Sequence, residues 1–245
     1  MTTPPVQPSP IDELRFGIRI ARINQATVGL LPDILDYCHA EQVEMLIARC
    51  DAADLAAVQA MERAGFLLMD TLVYFGRALS SLPPYQVTPD LTIRPVRSGE
   101  ARHVESIAVE IFKDYGGHYH ADPRLDRAQC DAVYPSWAYR SCLVREVADQ
   151  VLVAEYQTAL VGFVAIRLND SDEGEVTLYG VLPSAQRRGV GQALVLNAMH
   201  WLVEQGATHF VISTQVTNYA SQTVWIRLGM SPYRAFYTFH KWFND

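Results

Sequence analysis

Two arginines and two near-adjacent glycines meet at one junction of this chain, Gln186-Arg187-Arg188-Gly189-Val190-Gly191-Gln192. Just beyond it, Leu194, Val195, Ala198, Met199 and Leu202 recur at spacings of three and four, which gives one buried helical face and starts a helix near Val190. The first turn of a helix has N–H groups without intrahelical partners and the positive end of the dipole. Gly189 and Gly191 carry no side chain that would keep an anion off those amides. A phosphate fits there, and Arg187 and Arg188 add positive charge around it. The stretch is not a Walker loop, since no Gly-Lys-Ser/Thr is present, and it is not the dinucleotide fingerprint, since GxGxxG is absent. Read alone, a short glycine turn before a helix is as often only a turn.

The elements that must hold this junction lie on both sides of it. Upstream, Leu91 to Pro95 reads as a strand and Gly99 to Phe112 as a helix. An aromatic, His-rich loop follows from Lys113 to Asp126, then a helix from Ala128 to Cys142, bent at Pro135. Gln150 to Asp170 reads as a hairpin with its polar tip at Gln157-Thr158, and Glu173 to Leu182 as a further strand. Downstream come a helix from Gly191 to Gln205, a strand from His209 to Val216, a helix from Tyr219 to Gly229 and a strand from Ala235 to Phe243. The order β-α-α-β-β-β-α-β-α-β is mixed α/β around a largely continuous sheet.

Composition narrows the function classes. The 245 residues are 49% hydrophobic and 19% charged, which is ordinary for a globular chain of one large or two small domains. A formal charge of -7 argues against a wide nucleic-acid footprint. No apolar run reaches membrane-spanning length, and Met1 to Pro10 reads as a disordered leader rather than a signal peptide. Cys38, Cys50, Cys130 and Cys142 form no CxxC pair, so they read as free thiols in a reducing cytoplasm, with no metal site. Ser80 to Asp90, rich in Pro, Ser and Asp, reads as a linker.

In this order of elements, Gln186, Gly189 and Gly191 resemble the fixed positions of the acetyl-CoA pyrophosphate loop of the GNAT superfamily of N-acetyltransferases. Asn218, Ser221, Trp225 and Gly229-Met230 resemble that superfamily's second signature. The resemblance runs from Leu91 to the C-terminus and implies a GNAT fold with acetyl-CoA as co-substrate. It implies that the backbone of Tyr179, Gly180 and Val181 holds the pantetheine arm, with the Val181 N–H as oxyanion donor. It places the pyrophosphate on the amides of Arg187, Arg188, Gly189, Val190, Gly191 and Gln192, and Asn218 and Ser221 near the thiol end. Asp54 to Leu79 also lines up with Asn218 to Phe243, with Arg63 on Arg227 and Gly65 on Gly229. Residues 11–80 therefore read as a smaller, degenerate GNAT-like domain without a glycine turn and without CoA, 81–90 as the linker, and 91–245 as the catalytic domain.

Through Ile11–Ile23, Ala48–Thr71, His118–Trp137 and Ser213–Ala220, nearly the whole chain resembles the dTDP-fucosamine acetyltransferase family, which acetylates the amine of a dTDP-linked aminodeoxy sugar. That resemblance implies a small-molecule amine acceptor, a nucleotide sugar, with no nucleic-acid or membrane partner; a homodimer is compatible with it. Other amines (a peptide, a lysine, an antibiotic) and a non-catalytic CoA sensor are the alternative readings. One position departs from the pattern: the superfamily's acid tyrosine falls on Trp225, and an indole N–H donates a hydrogen bond but does not shuttle a proton. Tyr219, Tyr233 and Tyr237 are the nearby hydroxyls, and Tyr237 is taken as the acid. Glu110, His118, His120 and Asp122 are the candidate bases, with Glu110 and His118 foremost. In this fold the loop that carries Tyr115, His118, Tyr119, His120 and Asp122 caps the acceptor, so it reads as a lid whose tyrosines stack on a base or sugar.

Overall fold

The structure, a computed structural model, describes residues 6–84, 89–169 and 172–244. The chain forms two compact units, one of Met1–Val73, Gly116–Cys130 and Arg234–Asp245, the other of Tyr74–Tyr115 and Asp131–Tyr233. Each unit therefore takes segments from both sides of the expected linker. Within that linker, residues 85–88 lie outside the described residues.

The first unit contains the strands β1 (Gln7–Pro8), β2 (Ile20–Ile23) and β3 (Met45–Asp51), and the residues from Arg234 onward of β10 (Ser231–Trp242). They pair in the order β1-β2-β3-β10. β2 and β3 are parallel, and β10 runs antiparallel to β3 with Phe236 opposite Asp51 and Trp242 opposite Met45. The helices α1 (Pro10–Phe16), α2 (Leu31–Ala40) and α3 (Leu55–Arg63) complete the unit's main elements. Val6, Ile34, Cys38, Leu46, Met61 and Phe239 are part of its core. Residues 6–10 correct the reading of a disordered leader. Val6 is buried, Gln7 and Pro8 pair with Arg22 and Ala21, and α1 starts at Pro10, where a proline costs no hydrogen bond. Residues 1–5 of that leader lie outside the described residues.

The second unit holds β5 (Leu91–Pro95), β6 (Gln150–Tyr156), β7 (Ala159–Leu168), β8 (Glu173–Val181) and β9 (His209–Gln215), paired in that order. Its helices are α4 (Ala101–Ile111), α6 (Val133–Ser141), α7 (Val190–Glu204) and α8 (Tyr219–Arg227). Gln157 and Thr158 both adopt positive φ at the β6–β7 tip, as a two-residue hairpin turn of matching twist needs. The single bent helix expected over 128–142 is instead two, α5 (Arg127–Asp131) and α6, with the break at Ala132. Pro135 sits in the first turn of α6, where its missing N–H breaks no intrahelical bond.

The internal similarity extends through the elements. β3, α3 and β4 (Leu67–Ala78) coincide with β9, α8 and β10 at one constant sequence separation. Asp54 caps α3 by accepting from the Ala57 N–H at 3.0 Å, and Asn218 caps α8 by accepting from the Ser221 N–H at 3.2 Å. After each helix a glycine takes left-handed φ, 79° at Gly65 and 76° at Gly229.

Gly180 lets α4 approach β8, because a Cβ there would collide with Ile111 Cγ2. Gly180→Ala should therefore cost about 1–3 kcal/mol from overpacking. Urea denaturation is the check, and a variant with the wild-type midpoint would show that α4 yields freely.

Candidate active site

β8 and β9 are parallel, with register from Glu173–His209 to Val176–Ile212. Beyond Val176, β8 continues to Val181 against β7 on its other side, and β9 continues to Gln215. The two parallel strands thus splay at their carboxyl ends, which is where open α/β sheets take ligands. The Leu182 N–H donates to Val161 O on the β7 side at 2.8 Å. Backbone groups alternate along a strand, so the polar groups of Tyr179 and Val181 face the splay. Those are the positions expected to bind a pantetheine arm and an oxyanion.

The turn that follows is open. Residues Gln186 to Gly189 are exposed, and α7 begins at Val190. Gly189 has φ 80° and Arg187 φ 61°, so two left-handed residues turn the chain before the helix. Gln186 Nε2 donates to Val181 O at 3.2 Å and ties the turn back to the strand. The Arg188 guanidinium lies 5.5 Å from the centre of the Tyr156 ring. At Gly191 a Cβ would meet only Val181 and Tyr179, at ordinary contact distances of 3.7 and 3.9 Å. The first-turn amides of α7, Val190, Gly191 and Gln192 among them, are thus free to hold a pyrophosphate, and the site fits acetyl-CoA on this observation.

At the same end of the strands, Asn218 Nδ2 donates to Thr214 Oγ1 at 2.9 Å, and the Tyr115 hydroxyl lies 3.5 Å from that Oγ1. The Tyr179 hydroxyl donates to Ser221 Oγ at 3.1 Å. Burial raises the Tyr179 phenol above its ordinary value, with Ser221 and Trp225 opposing. Trp225 itself is 0% exposed, its indole edge-on to Phe75 at 5.4 Å, and its Nε1 meets no hydrogen-bond geometry among the described residues. Thr214 and the Tyr179 hydroxyl were invisible to sequence reasoning, which used only the backbone of Tyr179. The alternation of β8 could have pointed to the latter.

The candidate proton-handling groups fall in both units. Glu110 is exposed on α4, and Tyr219 and Tyr233 are exposed as well. Tyr237 packs against the first unit's core, opposite in the strand alternation to His240. His118, Tyr119 and Asp122 belong to the first unit and are buried there, so this stretch is fixed rather than a loose lid. His118 Nδ1 lies 2.9 Å from His240 Nε2, and His240 Nδ1 lies 2.7 Å from Asp122 Oδ2. The Trp242 Nε1–H also donates to Asp122 Oδ2, at 2.9 Å, and the Arg124 N–H to Asp122 Oδ1, at 3.0 Å. Burial and then His240 hold His118 well below the usual imidazole range. The Tyr119 hydroxyl donates to Asp12 Oδ1 at 2.8 Å and is bonded by Arg22, while its ring lies 3.9 Å from that of His118. His120 Nδ1 accepts from the Gly117 N–H at 3.2 Å. His240 was missed because nothing in a strand pattern marks a histidine that will meet a loop 118 residues away in sequence, the separation of its partner Asp122.

A splayed pair of parallel strands beside a glycine turn at a helix start is a place where an open α/β sheet can hold an anionic ligand. Residues 106–230, just over half of the chain, match the model of the Acetyltransferase (GNAT) family. The chain belongs to that family. It is 27% identical over 186 residues to a mycothiol acetyltransferase of Mycolicibacterium smegmatis, covering 72% of this chain and 58% of that protein. It thus spans less than two thirds of that relative's length. Over 206 residues it is 20% identical to the spore coat polysaccharide biosynthesis protein SpsD of Bacillus subtilis, covering 82% and 68%. A GCN5-related N-acetyltransferase from Sphaerobacter thermophilus shares the fold, with a TM-score of 0.67 at 14% identity over 92% of this chain and 74% of that one. Among the described residues, no helix is long and apolar enough to cross a membrane, and no group of His, Cys, Asp and Glu could hold a metal ion.

Proposed function

We propose that the chain transfers acetyl from acetyl-CoA directly to the amine of a nucleotide-linked aminodeoxy sugar of the dTDP-fucosamine type. The observation that carries the coenzyme half is the open turn at Gly189 and Gly191, which leaves the α7 amides to the pyrophosphate. The acceptor half rests on the resemblance read in the sequence alone, since the relatives matched are mycothiol acetyltransferases and SpsD rather than acetyltransferases of that sugar. A relative named for coat-polysaccharide biosynthesis supports it.

The amine nitrogen attacks the thioester carbonyl carbon. The C–N bond forms, the oxyanion is held by the Val181 N–H, and the C–S bond breaks to release CoA. A thiolate is a good leaving group, with a reference thiol pKa of about 8.5, so it needs no strong acid. Acyl-enzyme formation has no support in the cysteines. Burial pushes the Cys38 thiol up to about 12 and those of Cys50 and Cys142 up to about 11, so all three stay protonated and unreactive at neutral pH. Cys130 is buried, its Sγ donating to Tyr119 O at 3.4 Å.

A panel of amines with acetyl-CoA and a thiol-release readout tests the reading. Turnover is expected on a dTDP-linked aminodeoxy sugar, while turnover only on peptides or antibiotics would sink the acceptor assignment. Replacing all four cysteines by alanine should leave kcat intact. A covalently acetylated protein seen by mass spectrometry, with ping-pong kinetics, would overturn direct transfer.

A further inference from the structure

The segment Gly116–Cys130 joins the first unit from the middle of the chain, and a line of three buried side chains ties it to β10. Asp122 Oδ2 meets His240 Nδ1 at 2.7 Å, and His240 Nε2 meets His118 Nδ1 at 2.9 Å. The Asp122 end fixes where the hydrogens lie. Asp122 accepts from the Trp242 indole N–H at 2.9 Å and from the Arg124 backbone N–H at 3.0 Å. Against burial, which raises it, the bonds from His240, Trp242 and Arg124 hold the Asp122 carboxyl below its ordinary range, so it is an ionised acceptor. His240 Nδ1 therefore carries hydrogen, a neutral His240 accepts at Nε2, and His118 Nδ1 donates to it. A neutral His118 keeps its lone pair on Nε2. That atom has no hydrogen bond among the described residues, and His118 keeps 7% of its surface exposed, so solvent protons reach the line at this end.

We propose that this line is a pH-sensitive latch on the Gly116–Cys130 segment, closed while the two imidazoles hold at most one extra proton between them and opened by the second. One extra proton leaves every bond in place. His118 takes it on Nε2 and passes its Nδ1 hydrogen to His240, whose charge then faces the Asp122 carboxylate. A second proton puts hydrogen on both nitrogens of the 2.9 Å contact. Two donors then face each other, like charges sit on adjoining rings, and the bond is lost. The step is proton uptake from water or buffer alone, and it reverses when the pH rises. Every group in it belongs to the first unit.

The surroundings oppose the second charge. Burial first, then His240 from β10, Arg22 from β2, Arg49 from β3 and His120 from its own segment, hold His118 well below the usual imidazole range. From α1, Asp12 pairs with Arg22 at 2.6 Å and partly offsets it, and Arg15 acts on Tyr119. The Tyr119 ring lies 3.9 Å from that of His118, and the Arg124 guanidinium lies 4.0 Å from the centre of the Trp242 six- and five-membered system. A group whose cation is disfavoured in the closed state adds stability above its unfolded value of about 6.5. That contribution is lost as pH falls from there toward the folded value, so acid opens the latch. The Arg124 guanidinium also bonds Asn244 O at 3.1 Å and Asn244 Oδ1 at 3.0 Å, through groups that do not titrate in this range. The segment therefore stays tethered there while the stretch around His118 loosens.

Hydrogen exchange on the full chain is the test, read on the amides of residues 116–125 after correction for the intrinsic pH dependence of exchange. They should lose protection on the order of tenfold for each pH unit below about 6.5. β3, in the same unit, should keep its protection over that range. In His118→Asn the amide turns to offer hydrogen or oxygen as His240 requires and takes no charge, so the slope should vanish. Histidine-selective ¹⁵N NMR of the wild-type protein above neutral pH should show His118 Nε2 at the unprotonated shift. Flat protection below about pH 6.5, a loss shared equally with β3, an unchanged slope in His118→Asn, or a His118 Nε2 that bears hydrogen above neutral pH would each rule the latch out. The comparison with β3 and the NMR shift use the wild-type protein alone, so they decide the matter even where the variant does not fold.

Discussion

Gly191→Asp should remove measurable acetyl-CoA binding while leaving the fold intact or slightly firmer. The two effects have opposite signs at this one position. A Cβ at residue 191 meets only Val181 Cγ2 at 3.7 Å and Tyr179 at 3.9 Å, so the side chain fits. The residue lies in the first turn of α7, where replacing glycine removes a backbone-entropy cost and a carboxylate is favoured by the dipole. Both terms favour folding, each by about 0.3–1 kcal/mol. The same carboxylate occupies the amides that would hold the pyrophosphate and repels its charge. Two like charges 4 Å apart cost about 4 kcal/mol at an effective dielectric near 20, and solvent at this exposed turn reduces that. A loss of roughly 100-fold or more in affinity remains the expectation. Calorimetry should give one acetyl-CoA per wild-type chain and none resolved in Gly191→Asp. A variant with wild-type affinity and a wild-type melting curve would move the coenzyme away from this turn.

The parts of this molecule that were legible in its sequence are those set by local rules. The strand Leu91–Pro95 and the helix start at Val190 were read with the bounds the structure has, because alternation and three-four periodicity are properties of a few consecutive residues. The glycine turn was legible as a turn for the same reason, since two near-adjacent glycines before a periodic helix mark it locally. The Gly65 and Gly229 stops carried the internal similarity, as a helix stop acts over a few residues, and the Asp54 and Asn218 caps extend it in the structure.

Long-range pairing decided the rest. Gln7 and Pro8 looked like part of a leader because their partners, Arg22 and Ala21, lie across α1, and a two-residue strand has no periodicity to see. β10 joins β3 of the first unit through a ladder that no spacing within β10 announces, which is why the terminal segment looked like part of the downstream domain alone. The loop at His118 looked mobile from its glycines. Asp122 and His240 fix it instead, through bonds that a sequence pattern does not encode.

Trp225→Ala should be the most destabilising single substitution at the coenzyme end, and Trp225→Phe should be nearly silent. The indole is 0% exposed, edge-on to Phe75 at 5.4 Å and tilted 44° against Tyr179 at 6.2 Å. Truncating a buried tryptophan to alanine costs about 3–5 kcal/mol, a large share of the roughly 5–15 kcal/mol that holds a domain together. Phenylalanine keeps the ring packing. It also removes Nε1, a buried donor without hydrogen-bond geometry, whose desolvation costs about 1–3 kcal/mol. That gain offsets much of the lost volume. The pair of variants decides what this position does in a chain where tyrosine would be the acid. If the residue is core, urea denaturation gives a large drop in midpoint for alanine and a small one for phenylalanine, and the phenylalanine enzyme turns over at the wild-type kcat. If the indole N–H takes part in the chemistry, the phenylalanine enzyme folds like wild type and loses kcat without a change in the KM for acetyl-CoA. The burial of Trp225 on every side favours the first outcome, with CoA leaving as a thiolate that solvent protonates.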